Sequence, residues 1–150
     1  LAVSEFGYNQ GQGSVVVEAK RFGTSNQFPR IAQFNDGSAS NRIGVSIYGS
    51  SNTAYGSCDS GGVNQASLNK AVATGPDVYA KIGFGFGVNN FGLIVDSIIE
   101  GTDTSGSPPS NITQMQIGTR ASGQYLNGYI KSIQYYPLRL SNAQLQALTV

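Results

Sequence analysis

The stretch "VYAKIGFGFG" at residues 78–87 sets Val78, Ala80, Ile82, Phe84 and Phe86 against Tyr79, Lys81, Gly83, Gly85 and Gly87. Side chains alternate across a pleated strand, so this order produces one apolar face and one face that is polar or bare. A helix cannot use it, because a helical apolar stripe recurs every three to four residues. "NRIGVSIYG" repeats the pattern, with Ile43, Val45 and Ile47 on one face and Arg42, Gly44, Ser46 and Tyr48 on the other. "GSVVVEAKRF" opens with a continuous apolar run before it alternates, as expected of a strand buried on both sides. The bare strip Gly83, Gly85, Gly87 predicts that another strand or a neighbouring chain packs closely against it.

The punctuation between these runs is that of hairpins. "DGSASN" (36–41) links two strand candidates, "DSGG" (59–62) is a short turn, and Asn89-Asn90 occupies a two-residue turn needing positive φ. "GTDTSGSPPSN" (101–111) is the clearest loop. Strands at about ten-residue spacing with a turn signal between them predict an all-β sandwich or barrel. No internal repeat or composition break divides the 150 residues, so one domain is expected over 1–150. The chain opens "LAVSEF" without Met, and is expected to be the C-terminal part of a longer protein.

Composition removes several function classes. Charged residues are 11%, the net charge is +1, and the nine basic residues are scattered, so no nucleic-acid partner is expected. No apolar run approaches membrane-spanning length, and no membrane insertion is expected. The lone Cys58 forms no internal disulfide, which fits assembly in a reducing cytoplasm.

The chain ends differently from the way it begins. In "LSNAQLQAL", Ser141 is a good N-cap, Gln144 completes a capping box, and Leu140 and Leu145 take the positions of a hydrophobic staple. Leu145 and Leu148 lie on one face of this short helix, ready to dock on the sheet, and Pro137 ends the strand before it. An isolated helix of this length is marginal in water, so it must be held by tertiary contacts.

That ending carries a resemblance. "YLNGYIKSIQYYPLRLSNAQLQALT" resembles the closing segment of the concanavalin A-like (laminin G-like) domains at the C-termini of bacteriophage and prophage structural proteins. "PRIAQFNDGSASNRIGVSI" (29–47), "KIGFGFGVNNFGLIVD" (81–96) and "MQIGTRASGQYLNGYI" (115–130) follow the same pattern, in order. "FGYNQGQGSVVVEAKRF" is similar to the family's first core strand, with Tyr8 where the family often has Trp. The resemblance implies an all-β, two-sheet antiparallel jelly-roll-type sandwich with one short C-terminal helix. It implies a knob on a tail fibre, tail protein or head spike, at the surface of a phage-type virion assembled in the bacterial cytoplasm. The function it implies is non-catalytic host-receptor recognition, with bacterial surface polysaccharide and other virion proteins as partners and a homotrimer among the assemblies it allows. The alternative is a purely structural knob or assembly module, which a bare glycine strip and scarce charge suit equally well.

Motifs for other chemistry lack essential parts. "CDSGG" (58–62) has the look of a serine-protease nucleophile loop, but the chain contains no histidine to take the proton. A glycosidase needs two carboxylates at defined separation, and none of the eight acids shows the Glu-x-Asp-x-x-Glu strand spacing of a common group with this fold. Calcium would need oxygen ligands on rim loops, where Asp36, Asp59, Asp77 and Asp103 stand. They lack an EF-hand spacing and read as turn formers, so no cofactor is expected, with calcium on these loops as the alternative.

A sugar site pairs an aromatic face with directed polar groups. Tyr48 should point outward, Tyr55 lies in the polar strand "TAYGSCD", and Tyr125 stands beside Arg120 in "TRASGQYLNG". Hairpin parity gathers the loops around 23–27, 49–52, 70–77 and 119–127 at one end, provided that "IIEGTD" is a strand after a turn at Asp96-Ser97. The expected ligand-binding residues are Tyr48, Tyr55, Asp77, Arg120 and Tyr125.

Overall fold

In the computed structural model, two five-stranded antiparallel sheets face each other across one core. Residues 1–23, 28–48, 52–71, 77–120 and 123–150 are described. The strands are β1 (Gln12–Arg21), β2 (Arg30–Asn35), β3 (Arg42–Tyr48), β4 (Thr53–Ser60), β5 (Val63–Ala71), β6 (Ala80–Gly87), β7 (Phe91–Val95), β8 (Ile98–Asp103), β9 (Gln114–Ile117) and β12 (Gly128–Tyr136). Two short strands, β10 (Thr119–Arg120) and β11 (Gln124–Tyr125), pair as a ribbon, and α1 (Asn142–Leu148) closes the chain. The first sheet runs β12-β1-β6-β7-β8 and the second β5-β4-β3-β2-β9. The expected sandwich with one short C-terminal helix is therefore what the chain forms.

Alternation decides which side chains fill the space between the sheets. Val15, Val17, Ile82, Phe84 and Phe86 from the first sheet meet Phe34, Ile43, Val45 and Ile47 from the second, all essentially inaccessible. Gly56 lies under the Phe84 ring, where an added Cβ would stand 2.2 Å from it. Cys58 points into this core, and burial pushes its thiol up to about 12.

The hairpins follow the turn chemistry. Gly61-Gly62 and Asp96-Ser97 are two-residue turns with positive φ at both positions, 60° and 79° in the first, 47° and 63° in the second. The second makes "IIEGTD" the strand β8. Thus residues 101–103 of the expected long loop are strand, and the loop begins at Thr104. The Asn pair is shifted as well. Asn90 N–H donates to Gly87 O, so Val88-Asn89 is the centre of that turn, and Asn89 alone of the Asn pair takes positive φ, at 52°. Tyr8 precedes β1 instead of lying on it, and stacks on Tyr135 at 5.4 Å near Phe34 and Phe86.

The C-terminal segment answers the glycine strip. Ser141 Oγ accepts from Gln144 N–H while Gln144 Oε1 accepts from Ser141 N–H, which completes the capping box. Leu145 is fully buried with Val16 and Ile94, and Leu140 packs beside them. Leu148 is not buried with it. One turn further along it stays 37% exposed, bordering surface hollows that it shares with Val16 and Lys81 and with Tyr136 and Leu140. An added Cβ would stand 3.4 Å from Leu145 at Gly83 and 2.6 Å from the Arg139 guanidinium at Gly85. The bare strip is the seat of the chain's own ending, and no neighbouring chain is needed to explain it. Val16, opposite Gly83 in register, is the outward residue of "SVVVE" that this ending buries.

Candidate functional site

The outer face of the second sheet has no such cover. Because Ile43, Val45 and Ile47 take the core, Arg42, Gly44, Ser46 and Tyr48 of β3 face outward. Register then sets Asp59 beside Arg42, Ser57 beside Gly44 and Tyr55 beside Ser46 on β4, with Arg30 across from Ser46 on β2. A cavity of about 240 Å³ opens on this face, lined by these residues together with Phe28, Asn64, Ser67 and Arg120.

One wall is aromatic. Phe28 stacks on Tyr48 with ring centroids 3.7 Å apart and planes 14° from parallel. Tyr55 stands edge-on to both, 5.8 Å from Phe28 and 6.5 Å from Tyr48. Tyr48 thus backs the platform, while Phe28 and Tyr55 reach the cavity.

The rest is polar and heavily positive. Arg42 Nε donates to Asp59 Oδ2 at 2.6 Å, and Asn64 Nδ2 donates to Asp59 Oδ1 at 3.1 Å. Arg30 is 7% exposed, its Nη1 reaches Ser46 Oγ at 3.4 Å, and its Nε has no partner. Burial, then the charges of Arg42 and Arg120, push the Arg30 guanidinium down to about 10, and Asp59 opposes that shift. Arg120 is lowered by burial and then by Arg42. Ser57 Oγ is also buried without a partner. Gly44 makes room at the centre, since an added Cβ would stand 2.9 Å from Ala32 O and 3.5 Å from Arg30 Cδ.

Of the expected ligand residues, Tyr55 and Arg120 line this cavity and Tyr48 supports it. Asp77 and Tyr125 lie elsewhere. Asp77 has φ 76° and its N–H donates to Arg21 O at 2.9 Å, on the first sheet's side. Tyr125 is 69% exposed and pairs with Thr119, on the side of the β10–β11 ribbon opposite Arg120. The strand ends do gather at one end of the sandwich, with Arg21 opposite Gly128 and Tyr48 opposite Thr53. Of the expected loops, those around 23–27, 49–52 and 70–77 fall largely outside the described residues, while 119–127, apart from 121–122, carries the β10–β11 ribbon.

Phe28, Arg30, Arg42 and Ser57 were not singled out from the sequence, and Asp59 was singled out only as a turn former on a rim loop. Parity held the signal for Arg42, which shares a face with Tyr48, and for Ser57 and Asp59, which share one with Tyr55. Asp36 and Asp103 behave as turn formers, Asp36 accepting from Ser38, Asn41 and Asn111 and Asp103 from Ser105. Asp59 does not: it and Ser60 belong to strand β4, where cross-strand pairing sets Asp59 against Arg42, and the turn is Gly61-Gly62 alone. The bonds from Ser38 and Asn41 pull the Asp36 carboxyl down to about 2. Among the described residues no group of three or more His, Cys, Asp or Glu gathers to hold a metal.

The fold has solved relatives. The CBM40 of Ruminococcus gnavus IT-sialidase, in a structure bound to α2,3 sialyllactose, matches with a TM-score of 0.77 at 16% identity over 95% of this chain and 84% of that one. Domain 4 of AbnA, a GH43 extracellular arabinanase from Geobacillus stearothermophilus, in complex with arabinotriose, gives 0.72 at 13% over 95% and 68%. The SAP-like pentraxin of Limulus polyphemus gives 0.67 at 11% over 93% and 70%. At these identities the likeness is one of fold, the concanavalin A-like jelly roll. No protein-family profile and no curated protein matches the chain.

Proposed function

We propose that this domain is a non-catalytic carbohydrate-binding module whose ligand seats on the open face of the second sheet. The observation that carries the reading is the cavity itself. It sets the aromatic wall of Phe28 and Tyr55 against Arg30, Arg42, Ser57, Asp59 and Asn64, the pairing that a sugar's apolar ring face and directed hydroxyls require. At about 240 Å³ it falls below the ~300–1,000 Å³ of a drug-sized site and suits a single sugar unit. The non-catalytic reading rests on Asp59, the one carboxylate on the lining, already held by Arg42 and Asn64. A glycosidase needs a second carboxyl group across the bond. Two of the structural neighbours carry a bound oligosaccharide, which supports the class of ligand.

At the finer level, the ligand is a bacterial surface polysaccharide and the domain a receptor-binding knob at the surface of a phage-type particle, alongside other virion proteins. This rests on the sequence resemblance. The test is binding of the purified domain, alone and tethered as a trimer so that weak single-site affinity is amplified, to bacterial polysaccharides and whole cells. Saturable, sugar-competed binding that falls in Tyr55→Ala is expected. Absence of binding in both formats, to cells that the parent particle adsorbs to, would sink the reading.

One observation favours the structural alternative. Tyr136, Leu140, Ala147 and Leu148 line an apolar groove of about 330 Å³ beside α1, on the other side of the molecule. A subunit contact there would appear as concentration-dependent sedimentation that Leu148→Glu abolishes, with Tyr55→Ala having no effect.

A further inference from the structure

The charge in the cavity is unbalanced, and this narrows the ligand that the carbohydrate-binding reading allows. Three guanidinium groups, Arg30, Arg42 and Arg120, line it beside a single carboxylate, Asp59. That carboxylate is engaged on both oxygens, by Arg42 at 2.6 Å and Asn64 at 3.1 Å. The ion pairs among the described residues are Arg42–Asp59, Lys70–Glu100 and Lys131–Glu18, and none includes Arg30 or Arg120.

Arg30 is the unusual member. It is 7% exposed, its Nε donor has no partner, and its bond to Ser46 Oγ is long at 3.4 Å. A buried charge with an unmet donor is costly, and such groups are normally paired. Burial and the two neighbouring guanidinium groups push it down to about 10, which leaves it charged at neutral pH. Ser57 Oγ, a second buried polar atom without a partner, lies on the same lining. The unbound cavity thus holds positive charge in a partly dry place, with donors awaiting an acceptor.

This rests on the reading that the cavity binds sugar. We infer that the sugar is acidic, with its oxyanion (a carboxylate, sulfate or phosphate) received by Arg30 within the cavity and Arg120 at its edge. Phe28 and Tyr55 take the ring face and the Arg42–Asp59 pair takes hydroxyls. A guanidinium fork matches an oxyanion through charge-assisted bonds, roughly twice as strong as those to a neutral hydroxyl. A neutral sugar would leave both guanidinium charges uncompensated.

The test is binding of the trimer-tethered domain to three acidic polysaccharides, one rich in uronic acid, one sulfated and one phosphodiester-linked. Each is paired with a neutral counterpart: the carboxyl-reduced polymer, the desulfated polymer and the free hydroxylated units. We expect one acidic polymer to bind, its counterpart to bind at least about tenfold more weakly, and binding to weaken as NaCl rises. Arg120→Gln and Arg30→Gln should each lose about tenfold or more, the scale of one charge-assisted hydrogen bond. Lys131→Gln, on the other sheet, should bind as before. If Arg30→Gln fails to fold, the more exposed Arg120→Gln answers alone. Equal binding of a polymer and its neutral counterpart would overturn the acidic specificity and leave the carbohydrate reading standing. Binding to none of the six, nor to any neutral bacterial polysaccharide, would overturn both. Loss in Lys131→Gln as large as in Arg120→Gln would mean diffuse charge attraction, and would overturn the assigned site.

Discussion

The two outer faces of this sandwich come from the same alternation and end in opposite conditions. On the first sheet, Gly83, Gly85 and Gly87 of β6 and Gly92 of β7 face outward, and Leu145, Thr149 and Arg139 lie against them. On the second, outward positions carry Arg30, Arg42, Ser46, Tyr55 and Ser57, and a cavity opens among them. The missing side chains of Gly83 and Gly85 let the C-terminal segment approach the sheet. That approach brings Val16 and Ile94 out of water with Leu145. Even the exposed aromatic rings differ. Phe22, Tyr79 and Tyr129 on the first side sit 5.0–5.6 Å from the Lys20 ammonium, whereas Phe28 and Tyr55 border an open cavity. One face is closed by the chain's own ending, and the other is left for something else.

The largest test of this contrast is Leu145→Ala. The side chain is fully buried, and large-to-small changes at such sites cost about 2–5 kcal/mol. Urea unfolding should show a loss in that range. Glycan binding on the far face should be unchanged under conditions where the variant is folded. A loss of a few tenths of a kcal/mol would mean that the helix only rests on the sheet, and the closed face would be no different in kind from the open one.

The next test exchanges glycines across the two faces. Gly44→Ala on the open face puts a Cβ 2.9 Å from Ala32 O, a backbone atom that cannot move alone. Overpacking of this kind costs about 1–3 kcal/mol. Because the same Cβ lies 3.5 Å from Arg30 Cδ, binding should fall as well. Gly85→Ala on the closed face meets the Arg139 guanidinium at 2.6 Å, the far end of a flexible side chain. Arg139 can withdraw by giving up its bonds to Asn90 and Asn142, so a smaller loss in thermal stability is expected, with no effect on binding. Equal losses would show that the seat of the C-terminal segment is as unyielding as the sheet itself.

Much of the fold was legible because its signals are local. Ile43, Val45 and Ile47 announce their face by spacing, Asp96-Ser97 and Gly61-Gly62 announce turns, and Ser141 with Gln144 announces the helix start. The cavity was legible only in part, because its geometry depends on register between strands. Arg42 meets Asp59 across 17 positions and Arg30 meets Ser46 across 16, and alternation fixes which face a residue takes but not its cross-strand partner. Tyr125 shows a second effect of pairing. An aromatic in a polar loop beside Arg120 reads as a ligand platform, yet pairing with Thr119 turns it to the other side of the ribbon. The glycine strip was read correctly as a place of close approach. What approaches it, Arg139 and Leu145, lies more than fifty residues further along the chain.

The smallest expected difference concerns one ion pair on each face. Arg42–Asp59 spans 2.6 Å with side chains 17% and 13% exposed, while Lys131–Glu18 spans 2.8 Å with Lys131 61% exposed. An exposed pair is worth about 0.2–1 kcal/mol and is screened by salt. Lys131→Gln should therefore cost no more than this, and its effect should vanish as NaCl is raised. Asp59→Asn should cost more, since it leaves Arg30, Arg42 and Arg120 facing one another with no counter-charge, and part of that loss should return on adding the acidic ligand. The sign of that recovery separates two kinds of stability. The closed face gains its share from burial, which no ligand changes. The open face carries a charge imbalance that an anion relieves. If Asp59→Asn proves as mild as Lys131→Gln and insensitive to salt, the guanidinium groups are already well hydrated, and the open face would hold no stored demand for a partner.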